Sequence, residues 1–203
     1  MTLSATSTMS YNAAQLGLPD IAFVGRAGAG KTTASKFLGQ LKYERLSFAD
    51  PLREVAERIW GPELVDRDKL QKLGVAVRRI DEDAWLHLML ERIRKVRDPW
   101  AKSDSGLMSV PRPPMVVDDC RFPNEWWALK GEGFTFVRIT AARATRIDRL
   151  KRNGKWQDES QLEHESETAI DHLDANYVIE NNDTIDVLHD DIVDILLKER
   201  RKR

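Results

Sequence analysis

One cysteine stands in 203 residues. A lone Cys120 closes no intramolecular disulfide, so the fold must rest on burial, as it does in proteins of reducing compartments. Histidine is also scarce. His87, His164, His172 and His189 match neither a zinc finger nor a metalloprotease helix in their spacing. No G-x-S-x-G elbow occurs, which removes the usual serine-hydrolase arrangement. No apolar run approaches the roughly 20 residues that span a bilayer, so no membrane partner is expected. Residues 1–19 are rich in Ser, Thr and Ala but lack a basic start followed by an apolar block; they are read as an extension, not a secretory signal, and a cytoplasmic location is expected. Net charge of one sign is lacking as well: 32 basic against 33 acidic residues leave −1, which argues against a nucleic-acid partner.

What is present is 41% hydrophobic and 32% charged residues, a soluble globular composition. The length suits one domain, read as 20–203. Ile21–Val24 is a short apolar run expected as a buried strand. Further strands are expected at Arg45–Ala49, Met115–Val117, Phe134–Ile139 and Tyr177–Ile179. Helical spacing marks Lys31–Leu41, a stretch from Pro51, Asp83–Arg97, a stretch from Pro123 carrying Trp126 and Trp127, Arg143–Lys151 and Thr184–Arg200. Both tryptophans of the pair are expected in the core or against the sheet. Asp98–Pro114, with four prolines, reads as a long irregular connection. Alternating strands and helices give an α/β fold: a mainly parallel five-stranded sheet flanked by helices. Ligands in such folds bind beyond the carboxyl ends of the strands, at Gly25–Thr33, Asp50–Arg53 and Asp118–Glu125 here.

The first of these stretches carries the chemistry. Gly25-Arg-Ala27-Gly28-Ala29-Gly30-Lys31-Thr32, followed by Thr33, matches G-x-x-x-x-G-K-[ST] between a strand and a helix. Glycines permit the backbone turns that point successive N–H groups inward as an anion nest, and the helix adds its positive end. Lys31 would reach the β- and γ-phosphates of ATP, and the Thr32 hydroxyl would ligate Mg²⁺. Asp118 and Asp119 end an apolar strand, where Asp119 can hold Mg²⁺ through water or simply cap the strand. Arg121 suits bidentate phosphate binding, or an ion pair with Asp119 or Glu125. Cys120 reads as a buried small residue. The basic stretch Arg143, Arg146, Arg149, Lys151, Arg152, Lys155 is either a solvated helix face or a closing lid that brings cations to a transferring phosphoryl group. The basic terminus Lys198–Arg203 reads as a solvated helix end.

Taken together the motifs resemble the deoxynucleoside monophosphate kinases of tailed phages, a branch of the phosphate-loop (P-loop) nucleotide kinases. Five blocks carry the resemblance: Gly25–Thr32; Ser47-Phe-Ala-Asp-Pro-Leu-Arg53; Leu70-Gln-Lys-Leu-Gly74 with Arg78, Arg79 and Trp85; Val117-Asp-Asp-Cys-Arg-Phe-Pro-Asn-Glu125; and His164-Glu-Ser-Glu167 with Asn181-Asn-Asp-Thr184. The resemblance implies a P-loop NTPase three-layer fold with an acceptor-binding segment near 47–113 and a lid near 143–165. It implies Mg²⁺-dependent transfer of the ATP γ-phosphate to a deoxynucleoside 5′-monophosphate, in host cytoplasm if phage-encoded, by a monomer or homodimer. Gly28 to Thr33 would hold the ATP phosphates. Asp50, Arg53, Arg78, Arg79 and Trp85 would border the acceptor. Asp119 and Arg121 would lie at the reaction centre, and Glu125 would orient nearby groups or the acceptor. Arg146, Arg149 and Arg152 would serve the lid, with Asn182 and Thr184 on the adenine side. Val75-Ala76 stands where the family often has Thr-Glu, which bears on the acceptor base. Other readings are a dephospho-coenzyme A or phosphomevalonate kinase, an ATPase switch, and a nucleic-acid end kinase supported only by the basic clusters; no guanine-reading Asn-Lys-x-Asp block is present.

Overall fold

The computed structural model describes residues 16–98, 112–156, 158–159 and 168–202. The extension before residue 16, most of the Asp98–Pro114 connection, the His164–Glu167 block and the later part of the expected lid lie outside the described residues. Five strands form one sheet: β1 Ile21–Val24, β2 Glu44–Leu46, β3 Met115–Val117, β4 Thr135–Thr140 and β5 Tyr177–Glu180, in the order β2-β3-β1-β4-β5. β1 runs parallel to β3 (Ile21 beside Val116) and to β4 (Ile21 beside Thr135), and β4 runs parallel to β5. β1 and β3 are buried along their whole length, which is why they read as continuous apolar runs.

Alternate residues of the strands feed two faces. On one face Phe23, Val116, Val137 and Ile139 pack with Leu38 of α1 (Lys31–Gln40) and with Leu188, Ile192, Ile195 and Leu196 of the final helix, α7 (Ile185–Arg201). On the other, Trp126 of α5 (Pro123–Gly131) stacks on Phe136 with ring centroids 3.8 Å apart. Asp20 locks three strands at their starts. Its carboxylate accepts from the Met115 amide (2.8 Å) and from both Nη atoms of Arg112, and its carbonyl accepts from the Thr135 amide. Among the described residues no helix is long and apolar enough to cross a membrane.

By contacts the chain divides into two units, one within Met1–Arg45 and Pro111–Arg203, the other within Leu46–Val110. The second is helical: α2 (Ala49–Trp60), a 3₁₀ turn (Pro62–Leu64), α3 (Arg67–Ile80) and α4 (Ala84–Arg97), with α2 packing on both α3 and α4. Gly74 lets α3 approach α2, since a Cβ there would stand 3.3 Å from Leu52. Asp66 caps α3 by accepting from the Lys69 amide (2.8 Å), and this bond holds its carboxyl below the ordinary value.

Three expectations are revised. The second strand ends at Leu46 rather than Ala49, because the Ser47 hydroxyl accepts from the Ala49 amide and its carbonyl from Asp50, turning the chain into α2 two residues before Pro51. α3 is absent from the helices expected above, although Leu70, Leu73 and Val77 stand one turn apart on one face; that stripe is only half-buried, and none of the 14 residues is fully buried. Of the tryptophan pair only Trp126 is buried, while Trp127 is 55% exposed. Neighbours on a helix diverge by about 100°, so one of the two must leave the sheet.

Candidate phosphate-binding site

β1 stops at Val24, and α1 begins at Lys31. Between them Gly25, Gly28 and Gly30 take φ of 134°, 78° and 116°, the left-handed side closed to most residues. Each is also crowded by a different later element. A Cβ on Gly25 would lie 2.1 Å from the Ile139 carbonyl oxygen at the end of β4. One on Gly28 would lie 2.6 Å from the Arg146 carbonyl oxygen in α6 (Arg143–Arg152), and one on Gly30 would lie 2.3 Å from Asn181 Nδ2 in the turn after β5. The sheet order sets β4 beside β1, so the end of β4 meets the start of the loop.

No side chain caps α1 at Gly30, so its positive end is not spent on a side-chain acceptor. Lys31 Nζ donates to the carbonyls of Gly25 and Arg26, the second at 3.1 Å, and so lies back across the loop. Thr32 is exposed in the first turn. The cations of α6 divide by position. Arg146 is buried at 6% exposure with Nη1 3.4 Å from the Ala27 carbonyl, Arg149 donates to the Asn181 carbonyl (3.0 Å), and Arg152 pairs outward with Asp148. Burial, with the nearby Arg152, draws Arg149 below its ordinary value. The helix is therefore not a uniformly solvated face: its middle is seated on the loop.

A cleft of about 340 Å³ opens beside the loop, lined by Arg26, Arg138, Arg146 and Asp171 among others. Arg26 donates to Asp171 Oδ2 through Nε (2.9 Å) and Nη2 (2.7 Å). Arg138 Nη2 donates to the carbonyls of Ile170 (2.8 Å) and Leu173 (2.7 Å), with Nη1 3.6 Å from Asp171 Oδ1. Three guanidiniums against one carboxylate leave the cleft positive, suited to an anion.

At the end of β3 the two aspartates part company. Asp118 is buried and pairs with Arg45 at 3.0 Å, while Asp119 is half-buried. Cys120 is buried; that burial, reinforced by Glu125 and Asp119, pushes its thiol well up, so it stays protonated at neutral pH. Glu125, 2% exposed, accepts from the amides of Arg121 (2.7 Å) and Phe122 (3.1 Å). Its carboxylate closes the N-terminus of α5 and fixes the Arg121 main chain. Glu125→Ala should therefore lower stability by about 1–2 kcal/mol, since two partly buried amides lose their acceptor. An unchanged urea midpoint would show that the bonds contribute nothing.

Asn182 and Thr184 have local work: Asn182 Oδ1 accepts from the Ala142 amide (2.8 Å) before α6, and the Thr184 hydroxyl caps α7 by accepting from Val187 (3.4 Å). Asn181, which sequence reasoning did not nominate, is the buried one of this run. In the helical unit Arg92 pairs with Glu54 (2.5 Å) and lies 3.9 Å from Asp50. Arg53 and Arg79 are exposed and Arg78 half-buried. Trp85 is 4% exposed, its Nε1 donating to the Gly74 carbonyl at 3.4 Å, so its ring is enclosed rather than presented. Arg92 is not among the residues singled out above; it stands one turn after Met89 and two after Trp85 on an amphipathic helix, a place that carries no signal of its own.

No protein-family model matches the sequence, and no curated protein matches it significantly. Solved structures do match over nearly the whole chain. Shikimate kinase from Acinetobacter baumannii, in complex with shikimate, superimposes with a TM-score of 0.53 at 18% identity, covering 93% of this chain and 98% of its own. A gluconokinase from Sinorhizobium meliloti 1021 gives 0.53 at 15% identity over 91% and 94%. TT1252 from Thermus thermophilus gives 0.53 at 20% identity over 89% and 98%. The fold is the three-layer phosphate-loop NTPase fold, a parallel five-stranded sheet flanked by helices.

Within that fold the residues present fit a nucleotide triphosphate. A side chain on any of the three glycines would strike Ile139, Arg146 or Asn181, so the loop must stay glycine for its backbone to pass, and Lys31 rests on carbonyls from which it can turn. Mg²⁺ keeps most of its waters and asks for one hydroxyl and one or two carboxylates, groups of the chemistry that Thr32 and Asp119 carry. Among the described residues no group of three or more His, Cys, Asp or Glu could form a dedicated metal cage.

Proposed function

We propose that the protein is an ATP-dependent kinase whose acceptor is a deoxynucleoside 5′-monophosphate, giving the diphosphate and ADP. The single observation that carries the kinase reading is the loop itself: a glycine-framed turn at an uncapped helix start, with Lys31 folded onto it, in a phosphate-loop NTPase fold. The acceptor rests on the blocks Phe48-Ala-Asp-Pro-Leu52 and Asp119-Cys-Arg-Phe-Pro-Asn-Glu125, which resemble the phage enzymes.

In this reading the loop amides hold the β- and γ-phosphates, and Lys31 exchanges its carbonyl partners for phosphate oxygens. Mg²⁺, held through Thr32 and Asp119, supplies charge neutralisation between the phosphates. An oxygen of the acceptor phosphate forms a bond to Pγ as the bond from Pγ to the β-bridging oxygen breaks, and ADP leaves. That acceptor is already largely ionised near pH 7, so no general base is needed. Arg121, its main chain fixed by Glu125, faces the charge that develops. Asp50, Arg53, Arg78 and Arg79 of the helical unit bind the acceptor in this reading, while Trp85, bonded to the Gly74 carbonyl, lies enclosed within that unit.

The neighbours named for shikimate and gluconate favour a second reading, transfer to the hydroxyl of a small acid, which would need a base. The test is ADP release from Mg·ATP against deoxy- and ribonucleoside monophosphates, dephospho-coenzyme A, shikimate, gluconate and no acceptor. Release that depends on a deoxynucleotide supports the first reading. Release only with a small acid or dephospho-coenzyme A replaces it, and release without acceptor makes the protein an ATPase.

A further inference from the structure

Asn181 sits at 7% exposure where three parts of the first unit converge. Its amide N–H donates to the Thr140 carbonyl at the end of β4 (2.8 Å). Its side-chain Nδ2 donates to the Ala29 carbonyl of the loop (2.7 Å) and fills the space that a Gly30 side chain would need. Its carbonyl and Oδ1 both accept from Arg149 of α6, at 3.0 and 3.4 Å. One side chain thus touches the peptide that joins Ala29 to Gly30, the last turn of the loop before Lys31, and also the helix seated on that loop.

We infer that Asn181 is a positioning residue for phosphate binding: it sets the orientation of the Ala29–Gly30 peptide, and hence of the loop amides, and ties that peptide to α6. The physical reasoning is short. Gly30 has φ 116° and no Cβ, so nothing intrinsic to it fixes the peptide before it. Successive loop amides converge on an anion only if each peptide plane is held, and a free glycine turn samples many other states. A single donor to the Ala29 carbonyl pins that plane from outside. An aliphatic residue could fill the volume but could not hold the carbonyl, and it would leave a buried acceptor without its bond. Ribose or adenine contacts play no part in this role, which distinguishes it from a contact on the adenine side.

The inference rests on the nucleotide reading, and the experiment separates the two. Binding of ATP and of inorganic tripolyphosphate is titrated by calorimetry at 20 °C to wild type, Asn181→Ala and Asn181→Leu, well below each melting temperature. The leucine variant keeps the volume where alanine costs too much stability. Wild type should bind both probes. Each variant should lose about tenfold in affinity for both, by the same factor, while remaining folded. An unchanged tripolyphosphate affinity in a folded variant overturns the inference. A loss confined to ATP also overturns it, because Asn181 would then be reading the nucleoside. Wild type binding neither probe overturns the nucleotide reading itself.

Discussion

Lys31→Ala should reduce turnover by about 10³-fold or more while leaving the fold intact, because a charge clamp on the transferring phosphoryl group is removed at the point where little else supplies catalysis. The structural side of this expectation comes from where the ammonium now rests. Its partners are the carbonyls of Gly25 and Arg26, both on a half-buried loop that water can reach. Water can replace the lysine there, so the stability cost should stay within about 1 kcal/mol. Circular dichroism and a melting curve close to wild type, with kcat collapsed, would be the expected pair of results. A variant with wild-type kcat would remove the loop lysine from the mechanism. A variant that fails to fold would instead give Lys31 a structural role, as a strut across the loop.

Gly25→Ala should be strongly destabilising. Its Cβ would fall 2.1 Å from the Ile139 carbonyl oxygen at φ 134°. The obstacle is the backbone of a central strand, not the tip of a side chain, so it cannot swing away. The expected cost is about 3 kcal/mol or more, from strain at a disfavoured φ and from displacement of β4 against β1. Gly133→Ala is the control. Its φ is also positive, at 78° in the left-handed helical region, and nothing lies within 4 Å of the added carbon, so only the intrinsic penalty of roughly 1–2 kcal/mol applies. Chemical denaturation of the two variants measures the difference directly. Equal losses would mean that the contact with β4 relaxes freely, and the loop would then be far less rigidly framed than its surroundings suggest.

The loop and the strands that flank it were legible in the sequence for a physical reason. Phosphate binding by backbone amides needs glycines at fixed intervals within one turn, so the requirement is local and leaves a local pattern. β1 and β3, buried on both faces, announce themselves as Ile-Ala-Phe-Val and Met-Val-Val. The frame around the loop was not legible. Ile139, Arg146 and Asn181 lie more than 100 residues along the chain from the glycines they crowd; Arg146 stands out only as a lid cation and Asn181 only as part of a block, and nothing near them says that they pack on the loop. The same holds for Asp171, which reaches Arg26 across 145 positions. Glu125 was noticed as part of a block, but its use as a cap for Arg121 and Phe122 emerges only from the geometry. α3 does carry a helical period in Leu70, Leu73 and Val77, but the stripe is half-buried and Val75 and Ile80 beside it are exposed, so it does not stand out as a core-facing helix. Trp127 shows the limit from the other side: a large aromatic next to a buried one carries no label that says which of the two the helix will turn outward.

Exposed apolar residues of α3 bear on the acceptor. Val75 is 47% exposed, and it stands at the position where the resembled family often carries threonine. Its partly exposed side chain can offer only apolar contact. In the proposed function, discrimination between bases through this position would therefore rest on shape and not on a hydrogen bond.

The most direct measurement follows the phosphorus atom. ATP labelled with ³²P at the γ-position is mixed with Mg²⁺, the protein and each deoxynucleoside monophosphate in turn, and the products are separated by chromatography. Label should pass into a deoxynucleoside diphosphate, with at least one base strongly preferred and with no transfer by Lys31→Ala. Label that appears only as inorganic phosphate, or that stays in ATP with every deoxynucleotide, would contradict the proposed acceptor and leave a phosphate-loop fold serving another reaction.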